Sequence, residues 1–192
     1  MIRVVFAPGS SEERMPKRLH YGTTAKILHW LVVALLVTQY SIGWLMPNIK
    51  RGMNPGLAMT LHISIGTLIL ALILARLAWR LTHPVAPESS LAPWQRLTSE
   101  AVHWLLYVLV LATTLSGWLF ASARGWTIAW FYIIPLPMLT AGNPQLLHTI
   151  DGWHQDCEWA LLTLIGLHFA LVHSLYYRDG VMRRMLPRVL AT

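Results

Sequence analysis

The chain has 192 residues, of which 55% are hydrophobic and only 12% are charged, and its mean hydropathy is +0.50. This composition indicates an integral membrane protein and excludes an ordinary soluble domain. The formal net charge of +7 does not indicate a nucleic-acid partner, because the basic residues flank apolar runs, where they control topology, rather than forming one patch.

Four apolar runs, taken in chain order, are each long enough to cross a bilayer, which takes about 20 residues in a helix. Residues 19–192 are therefore predicted to form one domain, an all-α integral membrane bundle of four transmembrane helices. The predicted spans, which follow a polar N-terminal extension at 1–18, lie at about 25–46, 57–81, 97–120 and 152–177.

The connection between the third and fourth spans, residues 121–147, has a different character. Its apolar part is short and is interrupted by Pro135 and Pro137, so it is not predicted to cross the membrane. Non-helical backbone at membrane depth needs hydrogen-bond partners within the protein. We therefore expect an interfacial or re-entrant connection.

Basic residues are distributed very unevenly between the two sides of this predicted bundle. Twelve lie on the side that carries both termini, and among them Arg76 and Arg80 close the second span. Three lie on the other side, namely Lys50, Arg51 and Arg124. Because loops rich in Lys and Arg stay in the cytoplasm, both termini are predicted to be cytoplasmic.

Four histidines fall inside the predicted spans at two depths. His154 and His168 are fourteen residues apart, so they face nearly the same side of the helix, about 21 Å apart along its axis. His62 lies at the outer depth of His154, and His29 lies at the cytoplasmic depth of His168. Axial ligation of a haem iron takes two histidines at one depth on facing helices, and haem often sits in a bundle core. The pattern therefore predicts two haems, one on His62 with His154 and one on His29 with His168.

Other interpretations of the histidines remain open. A single histidine in a membrane helix can be a hydrogen-bonded helix contact rather than a ligand. His103 begins the third span near the depth of His29 and His168, and it could replace either one, hydrogen-bond a haem propionate or serve a quinone headgroup. His173 is five residues past His168 and points to a different face, which favours a packing role. The other histidines lie in polar segments or connections: His20, His83 and His148.

Several short segments, in a specific order and spacing, are shared with a known family. They are ILHWLVV in the first span, LHISIGTLILALILARLAWRL in the second, LSGWLFASARG after the third, GWH followed fourteen residues later by GLH in the fourth, and RDGVMRRMLP in the tail. From about Arg18 to Arg188 the chain thus resembles the prokaryotic cytochrome b561 family of four-helix, di-haem membrane cytochromes. It departs from the family pattern in its N-terminal extension and at Ser174, where a second histidine commonly follows the one at His173.

The resemblance implies a specific cofactor content and location. It implies two haem b groups, ligated at the positions of His29, His62, His154 and His168. It also implies transmembrane electron transfer in exchange with the quinone pool, in the inner membrane of a bacterium.

The molecule that delivers the electrons is predicted less sharply. Some members of the family that the chain resembles oxidise superoxide at the outer face and reduce ubiquinone. An oxidoreductase of that type is therefore one expectation. Superoxide is an anion, and Lys50, Arg51 and Arg124 could steer it towards an outer haem. The alternative is a haem-bearing membrane anchor that takes electrons from a soluble dehydrogenase or a periplasmic redox protein. A third interpretation is a membrane adaptor without haem.

Overall fold

The computed structural model describes residues 22–49, 53–85 and 92–179, with side chains up to residue 171. Most of this part of the chain is helical, and the remaining regular structure is one small hairpin, β1 (Ala129–Trp130) with β2 (Ile134–Pro135). The helices are α1 (Thr23–Leu45), α2 (Leu57–Thr82), α3 (Pro93–Ala123) and α4 (Pro144–Asp179).

The first three helices, α1, α2 and α3, are long and apolar enough to cross a membrane, which confirms the prediction of a helical membrane protein. The predicted fourth span, residues 152–177, lies within the longer helix α4. Because the side chains beyond residue 171 are outside the described part, the crossing by α4 stays a prediction. The extension at 1–18, His20, Lys50 with Arg51, and the His173 side chain also lie outside it.

Local sequence explains where α3 ends and α4 begins. Gly125 has a φ of 73°, and the amides of Gly125 and Trp126 donate to carbonyls in the last turn of α3, which is the Schellman arrangement. Asn143 then accepts hydrogen bonds from two amides of the first turn of α4, and Pro144 occupies the first helical position. The helix therefore starts two turns before the predicted span, and His148, which we had placed in the connection, belongs to α4.

The helices are arranged in chain order, with α1 against α2, α2 against α3, and α3 against α4. Among the described residues, no Cα atom of α1 comes within 8 Å of one in α4, so the bundle is open between these two helices. The main core cluster fills the middle of the bundle and contains Val32, Ile65, Ile69, Ile73, Tyr107, Val110 and Leu161. Large apolar side chains such as Val37, Leu105 and Phe169 are exposed, as expected for surfaces that face lipid.

The hairpin formed by β1 and β2 packs against the first turns of α2. Its turn places Phe131 and Tyr132 at φ values of 47° and 62°, and the Ile133 amide donates to the Trp130 carbonyl, as in a type I′ turn. The fully buried Ser64 hydroxyl accepts from the Phe131 amide, and Trp130 Nε1 donates to the Ser64 carbonyl. Ser64 is two turns into α2, about 10 Å along its axis. This contact favours the re-entrant form of the predicted connection.

Candidate functional site

The two ends of the bundle each hold a group of histidines. We call the end at which α2 and α4 begin the hairpin end, and the opposite end the tail end. His62 and His154, which the sequence pairs, face each other at the hairpin end with ring centres 6.4 Å apart and planes at 82°. His29 and His168 lie at the tail end, close enough to interact electrostatically.

The His62 ring lies against α1. A Cβ atom at Gly43 would lie 3.5 Å from His62 Cε1, so the absence of a side chain at this position leaves room for the ring. One turn earlier, Gln39 Nε2 donates to the His62 carbonyl over 3.0 Å. Gln39 Oε1 and His62 Nδ1 are both buried and have no hydrogen-bond partner in the described part of the chain.

The His154 ring is held by α3. Ser116 Oγ donates to the Thr113 carbonyl over 3.0 Å, so its lone pairs can accept from His154 Nδ1, which lies 3.1 Å away. His154 Nδ1 then carries the proton, and Nε2 is left as a lone-pair donor for a metal. A Cβ atom at Gly117 would lie only 2.8 Å from His154 Cε1, so the ring occupies the space that a side chain would need.

A cavity of about 560 Å³ surrounds these two imidazoles, and all four helices line it. Tyr40 reaches across the opening between α1 and α4, where its hydroxyl donates to the Glu158 carbonyl over 2.8 Å. The volume falls within the range of about 300–1,000 Å³ that is typical of pockets for cofactors and other small molecules. The site can therefore enclose a flat ligand and present one imidazole to each of its faces.

The tail-end cluster consists of His29, His103 and His168. The rings of His103 and His168 are in edge contact, with centres 5.1 Å apart. His103 Nδ1 donates to the Ser99 carbonyl over 2.7 Å, which leaves Nε2 as the lone-pair atom. The structure thus brings together the predicted pair and the residue that we had considered as its competitor, and the choice between them stays a prediction.

Arg76 is part of the same end of the bundle, and the sequence did not assign it a functional role. We had counted it as a topology-determining residue that flanks the second span. Instead, its Nε donates to the Tyr107 hydroxyl over 3.0 Å, and its Nη1 is buried without a hydrogen-bond partner among the described residues. The one available signal was its position fourteen residues after His62, the same interval that separates His154 from His168.

Arg124 lies beside the cavity at the hairpin end. Its guanidinium carbon lies 4.9 Å from the centre of the Trp126 ring and 5.2 Å from that of Phe120, within cation–π distance of both. Its Nη1 donates to the Ile49 carbonyl over 3.4 Å. Of the three basic residues predicted on this side, Arg124 is the one the structure describes, and it is fixed at the edge of the cavity.

Among the weaker candidates, the structure describes His83 and His148. The His83 ring stacks on Trp79 with ring centres 3.8 Å apart, and its Nδ1 lies 2.8 Å from the Thr82 hydroxyl. His148 lies in the second turn of α4 and does not line the cavity. Neither residue belongs to the two histidine groups.

Comparisons with known proteins agree with this architecture. The family model for prokaryotic cytochrome b561 matches residues 20–188. The chain is 29% identical over 172 residues to cytochrome b561 homolog 2 of Escherichia coli, which covers 88% of this chain and 92% of that protein. It is 30% identical over 166 residues to the probable superoxide oxidase CybB of Yersinia pestis. That alignment covers 84% of this chain and 92% of the relative.

A more distant relative is the cytochrome b562 of Cereibacter sphaeroides, 25% identical over 169 residues, with 84% of this chain and 92% of that protein covered. All three alignments cover nearly the full length of the relatives, and the family match extends over all four helices. This chain therefore belongs to the prokaryotic cytochrome b561 family of membrane electron-transfer proteins.

Proposed function

We propose that the protein transfers electrons across a bacterial inner membrane through two haem b groups, in exchange with quinone. His62 and His154 hold one haem at the hairpin end, which faces outwards, and His29 and His168 hold the other at the tail end, which faces the cytoplasm. Membership of a cytochrome b family supports haem b as the cofactor. The uneven distribution of basic residues supports the orientation.

The spacing of His62 and His154 is the observation that carries this proposal. Two imidazoles that each bond one metal through nitrogen at about 2.1 Å would have their ring centres about 6 Å apart. The observed distance is 6.4 Å. Gly43 and Gly117, which have no Cβ atom, leave room for both rings, so His62 and His154 would fit as ligands of a haem iron.

The tail-end cluster supplies the residues for a second haem. The 5.1 Å between His103 and His168 is too short for a metal between their rings, so this pair is not arranged as axial ligands. His29, from α1, and His168, from α4, come from the two helices between which the bundle is open. The proposed pair is therefore His29 and His168, with the His103 ring in edge contact with the second of them.

Each bound haem supplies a one-electron Fe(III)/Fe(II) couple, and the chain supplies ligands, burial and charge. Helix α4 carries one ligand of each site, fourteen residues apart, which separates the sites by about 21 Å along the helix axis. Such an arrangement suits electron transfer from one face of the membrane to the other.

Haem content and spectrum test this proposal directly. The purified protein should give a b-type pyridine haemochrome spectrum, with two haems per chain and low-spin spectra typical of two axial imidazoles. Addition of quinol to the oxidised protein should reduce the haems. A preparation in which correctly folded protein contains no b haem would contradict the proposal and would favour the haem-free adaptor.

Oxidation of superoxide at the outer face is a second, narrower candidate. Each superoxide would lose one electron and leave as O₂, and two electrons with two protons would convert a quinone into a quinol. Arg124 supports an anionic substrate here, because its guanidinium is fixed at the edge of the cavity that holds His62 and His154. The name of the Yersinia pestis relative points in the same direction.

Rapid mixing with superoxide separates this activity from an anchor function. Fast haem reduction followed by quinone-dependent reoxidation is expected of a superoxide oxidase, whereas inertness without a protein partner would indicate an anchor. Arg124→Gln should slow haem reduction by superoxide and flatten its dependence on ionic strength, while reduction by quinol stays unchanged. Steering would be ruled out if Arg124→Gln and the double variant Lys50→Gln/Arg51→Gln both kept the wild-type rate of haem reduction by superoxide and its salt dependence.

A further inference from the structure

Arg76 is a charged residue inside the bundle for which topology gives no sufficient reason. It lies six residues before the end of α2, about 9 Å along the axis from the last helical residue. Its Nε is engaged by the Tyr107 hydroxyl, which fixes the plane of the guanidinium. Its Nη1 is buried and has no hydrogen-bond partner in the part of the chain that the structure describes.

The surroundings of Arg76 are those of the tail-end histidines. The guanidinium is close enough to His29, His103 and His168 to interact electrostatically with each of them. Its position on α2, fourteen residues after His62, repeats the interval between His154 and His168 on α4. On α2, Arg76 therefore lies at the tail end in the position that matches that of His62 at the hairpin end.

The neighbouring Arg80 shows how an ordinary flanking arginine is accommodated. Its guanidinium carbon lies 5.0 Å from the centre of the Trp104 ring and 5.6 Å from that of Tyr107, so aromatic faces stabilise its charge. Arg76 has the Tyr107 hydroxyl and a buried N–H that donates to nothing described. A buried guanidinium N–H is costly unless it meets an acceptor, so the partner of Arg76 Nη1 is expected to be functional.

We propose that Arg76 binds a propionate carboxylate of the tail-end haem and raises the reduction potential of that haem. This inference rests on the proposed function, since it requires a haem on His168. Haem b carries two propionate groups, and a guanidinium donates to a carboxylate in a charge-assisted hydrogen bond. A fixed positive charge nearby favours the reduced iron, because reduction removes one positive charge from the group.

Redox titration of Arg76→Gln tests the assignment. One of the two midpoint potentials should fall, so that at a fixed ambient potential the reduced-to-oxidised ratio of that haem drops at least tenfold, which is 59 mV for a one-electron couple. The other potential should stay as in the wild type. Combining Arg76→Gln with His62→Ala, which removes the hairpin-end haem, should leave the lowered potential as the one observed.

Three further variants separate propionate binding from a structural role. Arg76→Lys keeps the charge without the planar fork, so it should restore most of the potential. Tyr107→Phe should lower the same potential by less, because it frees Nε without removing the charge. Arg80 also lies near His103, but its guanidinium is held by aromatic rings, so Arg80→Gln should lower the same potential by less than Arg76→Gln does. If Arg76→Gln loses the tail-end haem, retention of that haem by Arg76→Lys would show that the positive charge at this position is what binds it.

The outcomes that contradict the inference are distinct from those that contradict the proposed function. Wild-type protein with fewer than two haems would contradict the proposed function. If Arg76→Gln binds two haems with unchanged potentials, the role of Arg76 is wrong, whereas the proposed function is not contradicted. An equal fall in Arg80→Gln would also overturn it, because the effect would then come from general charge rather than from this hydrogen bond.

Discussion

Both ends of the bundle hold a group of histidines, but the rings are arranged differently at each end. At the hairpin end, two imidazoles face each other 6.4 Å apart in a cavity of about 560 Å³. At the tail end, two of three imidazoles are in edge contact at 5.1 Å, and Arg76 nearby has a buried Nη1. The first arrangement has the spacing of two imidazoles that share one metal, whereas the 5.1 Å pair at the tail end is too close for a metal between its rings.

The small and polar residues behind each ring explain this difference. At the hairpin end, Gly43 and Gly117 leave space for the rings, and Ser116 fixes the orientation of His154. At the tail end, the hydrogen bond that the structure describes is made by His103 to Ser99, and not by a residue of the predicted pair. Ligand geometry is thus set by the neighbouring helix as much as by the histidine itself.

Removing a ligand at the hairpin end should have the largest effect. Under the proposed function, we expect His154→Ala and His62→Ala each to lose one of the two proposed haems, because one imidazole of the pair is removed. The measurement is the ratio of haem to protein, which should fall from two to one. The spectrum of the remaining haem controls for folding. A full complement of two haems in His154→Ala would contradict the assignment.

The choice of ligands at the tail end can be decided by three matched substitutions. His168→Ala and His29→Ala should each lose the tail-end haem, whereas His103→Ala should keep both haems, since the 5.1 Å contact with His168 is not an axial pair. The haem-to-protein ratio and the low-spin spectrum report the outcome. Loss of a haem from His103→Ala with retention in His29→Ala would replace His29 by His103 as the ligand.

The sequence predicted the hairpin-end pair because depth along a helix follows from residue number and rise alone. The predicted starts of the second and fourth spans were sufficient to place His62 and His154 at one depth, and in the structure their ring centres lie 6.4 Å apart. Sequence could not separate His29 from His103, because the two lie at similar depth and the rotation of each helix about its own axis depends on packing.

The residues that sequence reasoning missed depend on contacts between distant segments. Arg76 was grouped with flanking cations, since its hydrogen-bond partner is Tyr107, thirty-one residues away. The hairpin is stabilised by Ser64 on α2, sixty-seven residues before Phe131. Positive φ values at Phe131 and Tyr132 run against the preference of non-glycine residues, so no local pattern indicates this turn.

A pair of glycine substitutions tests whether space behind the rings matters. Gly117→Ala would place a Cβ atom 2.8 Å from His154 Cε1, whereas Gly43→Ala would place one 3.5 Å from His62 Cε1, which is ordinary contact. Overpacking of this kind costs about 1–3 kcal/mol, so we expect Gly117→Ala to retain the hairpin-end haem about five- to a hundredfold more weakly. The measurement is haem transfer to an excess of an apo-haem-binding protein.

Gly43→Ala is the matched control for that experiment. Both substitutions raise helix propensity by about 1 kcal/mol, so weaker haem retention in Gly117→Ala alone cannot come from a weakened helix. We expect Gly43→Ala to behave like the wild type. Equal losses in both variants would show that the 0.7 Å difference in clearance is not what fixes the ring.

The smallest expected effect concerns the hydroxyl that orients His154. Ser116→Ala removes the acceptor of His154 Nδ1–H, and a neutral hydrogen bond of this kind contributes about 1 kcal/mol, so haem retention should weaken about fivefold. Loss of this bond also makes the imidazole a weaker donor to iron, so the potential of the hairpin-end haem should rise slightly while the other stays constant. Thr98→Ala, which removes an exposed hydroxyl bonded to its own helix, is the control. A shift confined to the tail-end haem, or an equal effect of Thr98→Ala, would show that Ser116 does not act through His154.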